Sequence, residues 1–292
     1  MIEVRDLRKS YGRTVAVDGL SFTVAPGQVT GFVGPNGAGK SATIRMILGL
    51  DAPDAGTAYI GGRPYAALRT PLCEVGSLLD AAALHPGRRA CDHLRWIAQA
   101  NGLPAGRVET LIDLVGLRDD ARKPAGSLSL GMRQRLGLAG ALLGDPPVLL
   151  LDEPINGLDP DGIGWIRGLL RRLAAEGRAV LVSSHLMSEL EGSADHLVVI
   201  GRGRLIADVA VRDLLATASG DRVRVRTERR SDAMAALAGA GATVAATDRE
   251  TLTVSGLEAA RIAAVLGEHG VPFSELSAHR ATLEEAYMEL VG

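Results

Sequence analysis

Gly34-Pro35-Asn36-Gly37-Ala38-Gly39-Lys40-Ser41 is a glycine-rich octapeptide that closes on Lys-Ser. An apolar run at residues 29–33 precedes it and an apolar-periodic stretch at 43–48 follows, so the local order is strand, glycine loop, helix. That context makes the loop a phosphate site. Glycines let it turn its backbone N–H groups inward, and the N-terminus of the following helix adds partial positive charge. Lys40 has the reach for the terminal phosphates, and the Ser41 hydroxyl is an oxygen donor suited to Mg²⁺.

Further along, Val148-Leu149-Leu150-Leu151 runs straight into Asp152-Glu153. A continuous apolar run reads as a strand buried on both faces of a parallel sheet, and acids at its C-terminal end sit where such sheets bind ligands. In a phosphate-loop enzyme Asp152 would hold Mg²⁺ through water and Glu153 would polarise an attacking water. Without that loop the pair would read equally well as helix-capping acids. A strand at 179–182 then leads to Ser183-Ser184-His185. A histidine there is usually structural, but the strand order could bring His185 to the same sheet edge.

Around these segments the chain reads as α/β. Residues 2–7 and 20–24 are expected strands flanking a loop that carries Tyr11-Gly12. Aromatic residues are only 3% of the chain, and a tyrosine ahead of a phosphate loop could stack on a purine. Short strands are expected at 57–60 and 75–79, the latter ending at Asp80. Residues 86–144 become helical, with helices at 91–99, 107–115 and 130–143, and another helix is expected at 159–176. Residues 197–200 and 204–207 read as a hairpin about Gly201-Arg202-Gly203.

Composition narrows the function. The apolar fraction is 47%, that of a globular protein, and 292 residues suggest two domains. The 32 basic and 34 acidic residues leave a formal charge of −2, so there is no electrostatic footprint for nucleic acid. Cys73 and Cys91 lack metal-ligand spacing and fit a reduced, cytosolic setting. No apolar run reaches 18 residues, which places any membrane role in a partner.

Beyond residue 219 the pattern changes. Strands are expected at 222–227, 243–246 and 251–254, and helices at 232–238, 259–269 and 283–290. Residues 220–292 thus read as a small α+β accessory domain with no phosphate loop and no acidic cluster. His269 and His279 read as surface residues.

Taken in order, these motifs resemble the ATP-binding cassette (ABC) ATPase subunits over residues 1 to about 215. Leu128-Ser129-Leu130-Gly131-Met132-Arg133-Gln134-Arg135 is similar to the family's signature loop, residues 34–41 to Walker A, and Leu151-Asp152-Glu153 to Walker B. Asn156-Gly157-Leu158-Asp159 lies where the family has its D-loop, and His185 matches its switch histidine. The resemblance implies a cassette over 1–219 with a mixed sheet, N-terminal antiparallel strands and a helical subdomain at about 82–145. It implies ATP and Mg²⁺ as ligands and a head-to-tail dimer with a second such domain. Each ATP would lie between residues 34–42 of one copy and Ser129, Leu130, Gly131 and Met132 of the other.

In that arrangement Lys40 would hold phosphate, Glu153 would be the general base, and His185 would stabilise the γ-phosphate. Asp159 would couple the two sites and Tyr11 would stack on adenine. Ala42 stands where threonine is frequent, and the signature has Leu130 and Met132 in place of glycine and glutamine. At the family's Q-loop glutamine the chain has Asp80, a carboxylate still able to ligate Mg²⁺. The ending at 281–287 resembles drug and bacteriocin-type exporter ATPases of bacteria. That implies separate transmembrane permease subunits and a place on the inner face of the cell membrane. A soluble ABC ATPase acting on nucleic acid or ribosomes, or a non-catalytic ATP-binding regulator, are the other readings open to such a chain.

Overall fold

The computed structural model describes residues 1–220, 222–278 and 281–291. They divide into two compact units, Met1–Val211 and Arg212–Gly292.

The first unit opens with a hairpin of β1 (Ile2–Tyr11) and β2 (Thr14–Val24), then β3 (Gln28–Val33), α1 (Lys40–Ile47) and β4 (Ala55–Ile60). The short α2 (Pro71–Glu74) and β5 (Gly76–Leu78) lead into the helices α3 (Ala90–Ala100), α4 (Gly106–Leu114) and α5 (Leu130–Ala141). There follow β6 (Val148–Leu151), α6 (Pro160–Ala175), β7 (Ala179–Ser184), α7 (Met187–Leu190), β8 (His196–Gly201) and β9 (Arg204–Ala210).

Two sheets result. One is antiparallel, in the order β2-β1-β4, and the other runs β5-β6-β7-β3-β8-β9. In the second sheet every pair is parallel except β8 with β9. All residues of β6 and β7 are buried, which is why residues 148–151 read as an unbroken apolar run. The sheets share one core, in which Phe22 of β2 stacks on Phe32 of β3 with ring centroids 5.2 Å apart. The phosphate-loop strand is thereby covered on one face by the hairpin.

The hairpin departs from the sequence expectation. Tyr11 is the last residue of β1, not a loop residue, and only Gly12-Arg13 separates the strands. The pairing shifts register between Val4 and Leu7 and again between Lys9 and Ser10, so the period-2 pattern breaks while the strand continues. The turns α2 and α7 were also unforeseen; four residues are too few to show a helical period.

The second unit contains α8 (Val211–Ser219), which begins at the last residue of the first, then β10 (Val223–Arg226), α9 (Arg230–Gly239), β11 (Thr243–Ala246) and β12 (Thr251–Ser255). It ends with α10 (Ala259–Glu268), β13 (Glu275–Ala278) and α11 (Leu283–Val291). The sheet order is β11-β12-β10-β13 with every pair antiparallel, a split β-α-β-β-α-β arrangement. Val223, Val225, Leu252 and Val254 pack with Leu237, Ile262 and Leu266 from the two helices as a core of their own. Sequence reading missed β13, whose four residues carry one large apolar side chain, Leu276. His269 is exposed after α10, and His279 lies outside the described residues.

Candidate functional site

Residues 34–39 connect β3 to α1. Ala38 N–H donates to Pro35 O at 3.1 Å, and Thr43 donates to Gly39 O through both N–H (2.9 Å) and Oγ1 (2.8 Å). Gly39 must be glycine on two counts: its φ is 106°, and a Cβ would stand 2.4 Å from Ala16 O. The backbone of β2 at Ala16 therefore walls the loop. Between Ala16 and Glu153, with Asn36, Gly37, Gly39, Lys40, Ser41 and Ala42 along its floor, lies a cleft of about 250 Å³.

Lys40 is only 6% exposed. Its Nζ donates to Gly34 O at 2.6 Å and Pro35 O at 3.4 Å and lies 3.6 Å from Glu153 Oε1. The other carboxylate oxygen, Glu153 Oε2, is 2.7 Å from His185 Nδ1. The end of β6, the end of β7 and the start of α1 thus converge on one carboxylate.

Glu153 has φ 50°, a left-handed conformation that costs a non-glycine residue about 1–3 kcal/mol. Two neighbours hold it there. Glu153 N–H donates to Ser183 Oγ at 2.8 Å, and Glu153 O accepts from Gln134 Nε2 at 3.4 Å. Ser183 Oγ itself donates to Asp152 Oδ1 at 2.5 Å, so one hydroxyl fixes both acids. Gln134 Nε2 also donates to Asn156 O at 3.3 Å. Both residues stand inside stretches quoted from the sequence, 183–185 and 128–135, but neither was given a role there. The position of Ser183 directly after an apolar strand was the available signal; nothing in the sequence marks Gln134 as a support for Glu153.

Ser129 caps α5, its Oγ accepting Met132 N–H at 3.2 Å, and Leu130 is exposed beside it. A Cβ on Gly131 would be 3.2 Å from Leu158 Cδ2, so the start of α5 packs on the segment before α6. Asp159 caps α6 by accepting Gly162 N–H at 2.8 Å. Ser129, Leu130, Gly131, Met132 and Asp159 do not line the cleft at residues 34–42.

Two other expected site residues also stand apart from that cleft. Tyr11 is 47% exposed, and its hydroxyl donates to Asp51 Oδ2 at 2.6 Å. Hydrogen bonds from Arg45 and then Tyr11 hold the Asp51 carboxyl at about 2. Asp80 is exposed two residues after β5, with Oδ1 accepting Ala82 N–H at 2.7 Å. The oxygen donors that fit Mg²⁺ are the hydroxyl of Ser41, a residue lining the cleft, and the carboxylate of Asp152. Among the described residues, no three His, Cys, Asp or Glu side chains form a cage for a metal. An ion here would take the rest of its shell from phosphate and water.

A family model described as ABC transporter matches residues 17–156, and one described as a domain of unknown function matches 221–284. An uncharacterised ABC transporter ATP-binding protein, YhcH of Bacillus subtilis (strain 168), is 42% identical over 220 residues, 73% of this chain and 71% of the relative. The bacitracin transport ATP-binding protein BcrA of Enterococcus faecalis is 38% identical over 217 residues, 73% of this chain and 70% of that one. A solved structure of an ATP-binding subunit of an ABC transporter superposes with a TM-score of 0.68 at 29% identity, covering 74% of this chain and 92% of that one. A dimeric cassette bound to ADP and Pi superposes at 0.66 over 72% of this chain and 98% of its own. At 23% identity it speaks for the fold alone. With the strand-loop-helix and the acids that follow β6 in place, these likenesses show that the chain belongs to the ABC transporter ATP-binding proteins.

Proposed function

We propose that this chain binds and hydrolyses ATP as the cytoplasmic motor of a bacterial exporter whose membrane-spanning permease is a separate chain. The observation that carries the reading is the convergence of Lys40 and His185 on Glu153 at the mouth of the phosphate-loop cleft. A relative named for export, the Nod factor export ATP-binding protein I of Paraburkholderia xenovorans (strain LB400), is 41% identical over 224 residues, 75% of this chain and 74% of that one, and supports the direction of transport. No helix among the described residues is long and apolar enough to cross a membrane, in keeping with a partner that supplies the spans.

In this reading the amides of residues 34–42 and Lys40 bind the triphosphate, and Tyr11 stacks on the base. Glu153 takes a proton from the attacking water and His185 steadies the γ-phosphate. Ser41 and Asp152 would hold Mg²⁺, with Asp80, which stands apart from the cleft, a further oxygen donor through water; when bound, the ion would neutralise charge on the transferring phosphoryl group. Ser129, with the amides of Leu130, Gly131 and Met132, lies at a helix N-terminus, a natural anion site, and away from the chain's own cleft. This placement suits a head-to-tail dimer in which the signature loop serves the partner's ATP and Asp159 couples the sites. Residues 1–219 would form the cassette, with the helices of about 82–145 as its helical subdomain, and 220–292 an accessory domain.

The test is Glu153→Gln. The purified variant should lose ATP turnover while keeping ATP binding, and with ATP and Mg²⁺ it should sediment as a dimer. A variant that stays monomeric at saturating ATP would end the head-to-tail reading.

A further inference from the structure

Tyr11 ends β1 with its ring half exposed, yet one neighbouring segment grips it. Its hydroxyl donates to Asp51 Oδ2 at 2.6 Å. Asp51 accepts two further bonds from Arg45, from Nε to Oδ2 at 2.8 Å and from Nη2 to Oδ1 at 3.0 Å. Lys9 Nζ stands over the ring, 5.5 Å from its centroid, and is itself anchored on Ala52 O (2.6 Å) and Asp54 Oδ1 (3.2 Å). Residues 51–54 therefore reach Tyr11 both through its hydroxyl and through the cation above it.

The end of α1 explains why Asp51 is in place. Gly49, at φ 65°, lets the chain reverse: its N–H donates to Met46 O at 3.0 Å and Leu50 N–H to Arg45 O at 2.9 Å. This paired closure of a helix C-terminus sets Asp51 beside Arg45 in the last turn. The helix that carries Lys40 and Ser41 at its first turn carries Arg45 at its last. One rigid element thus connects the phosphate loop to the aromatic ring.

We propose that Arg45 and Asp51 are positioning residues that fix the Tyr11 ring as a purine platform at a set distance from the phosphate loop, and so set nucleotide affinity. The inference rests on the reading of Tyr11 as the base-stacking residue. An unrestrained tyrosine at a strand end loses rotamer freedom when a base stacks on it; a ring already held by Asp51 has given up that freedom beforehand. The contribution is made only to ligands that carry a base. A bare triphosphate uses the phosphate loop and does not feel it.

The experiment measures dissociation constants of ATP and of inorganic tripolyphosphate for the full chain by calorimetry. Asp51→Ala should weaken ATP by about 3–10-fold and leave tripolyphosphate unchanged. Tyr11→Phe keeps the ring and removes the same hydrogen bond from the other side. It should match Asp51→Ala, and the double variant should be no weaker than either single one. Tyr11→Phe also carries the test if Asp51→Ala does not fold. Tyr11→Ala should weaken ATP more than any of these. If Tyr11→Ala binds ATP normally, the stacking reading itself falls. If Tyr11→Ala is weak while Asp51→Ala and Tyr11→Phe bind ATP as the wild type does, stacking stands and the positioning role is overturned. Equal weakening of ATP and tripolyphosphate by Asp51→Ala would assign Asp51 to the fold and also overturn it.

Discussion

His185 Nδ1 stands 2.7 Å from Glu153 Oε2, so a residue at the end of β7 orients the carboxylate at the end of β6. Removing that contact frees one side of the carboxylate while Lys40 still faces the other. His185→Ala should lower ATP turnover by about 10²-fold or more and leave the ATP dissociation constant within about 3-fold. Steady-state hydrolysis beside equilibrium binding checks this; a parallel loss in both would mean that His185 serves binding rather than the chemical step.

Ser183 joins the two acids through one hydroxyl. Ser183→Ala leaves Glu153 N–H and Asp152 Oδ1 without that partner, and should cost about 1–3 kcal/mol of stability. Turnover should fall as well, because the left-handed backbone at Glu153 loses an anchor. Denaturant unfolding gives the first quantity and hydrolysis the second. Unchanged turnover would show that the remaining contacts hold Glu153 by themselves.

Gly39→Ala should abolish ATP binding. The new Cβ meets the carbonyl oxygen of Ala16, a backbone atom that cannot swing aside, and the φ of 106° suits glycine alone. Ala16→Gly offers no relief, since the clash is with its oxygen. ATP binding by the double variant at wild-type strength would refute this account of the cleft wall.

The Asp51 carboxyl, held at about 2 against an ordinary 3.8, gives a pH signature. A carboxylate whose folded value is depressed stabilises the fold above its ordinary value, and that contribution disappears as pH falls through the folded value. The contribution of the Tyr11–Asp51–Arg45 array to stability should therefore begin to fall near pH 4, while the array itself stays largely intact until the pH approaches about 2. Titration of the Asp51 carboxyl carbon by NMR should show a midpoint near 2. A midpoint near 3.8 would mean that the array does not persist in solution.

In the second unit, Leu237 of α9 is fully buried against the sheet. Leu237→Ala should cost that unit about 2–5 kcal/mol. Hydrogen exchange across β10 and β12 reads this directly, and unchanged protection there would contradict the packing described.

Much of the cassette was legible because its decisive features are local. The apolar strand at 148–151, the octapeptide at 34–41 and the helix start at residue 130 each advertise themselves within a dozen residues. What escaped is non-local or conformational. The bond from Tyr11 to Asp51 spans 40 positions, and the link from Gln134 to Glu153 joins a helix to a loop across an intervening strand. The positive φ of Glu153 has no sequence signal, since glutamate is not a residue that favours it. The hairpin's length was hidden by its own register shifts, which interrupt the alternation that marks a strand.

The position of β3 bears on how the chain is made. This strand, residues 28–33, is bordered on one side by β7 and on the other by β8, both beginning about 150 residues or more further along the chain. During synthesis from the N-terminus, the phosphate-loop strand therefore waits with both edges unpaired until the chain has grown past Ser184, and with one edge open until it has passed Gly201. Such long-range closure is slow and leaves an apolar strand exposed meanwhile. Nucleotide cannot assist the early steps, because its cleft needs Glu153 and the paired sheet. A nascent chain arrested before β8 should be unable to retain ATP and should depend on chaperones.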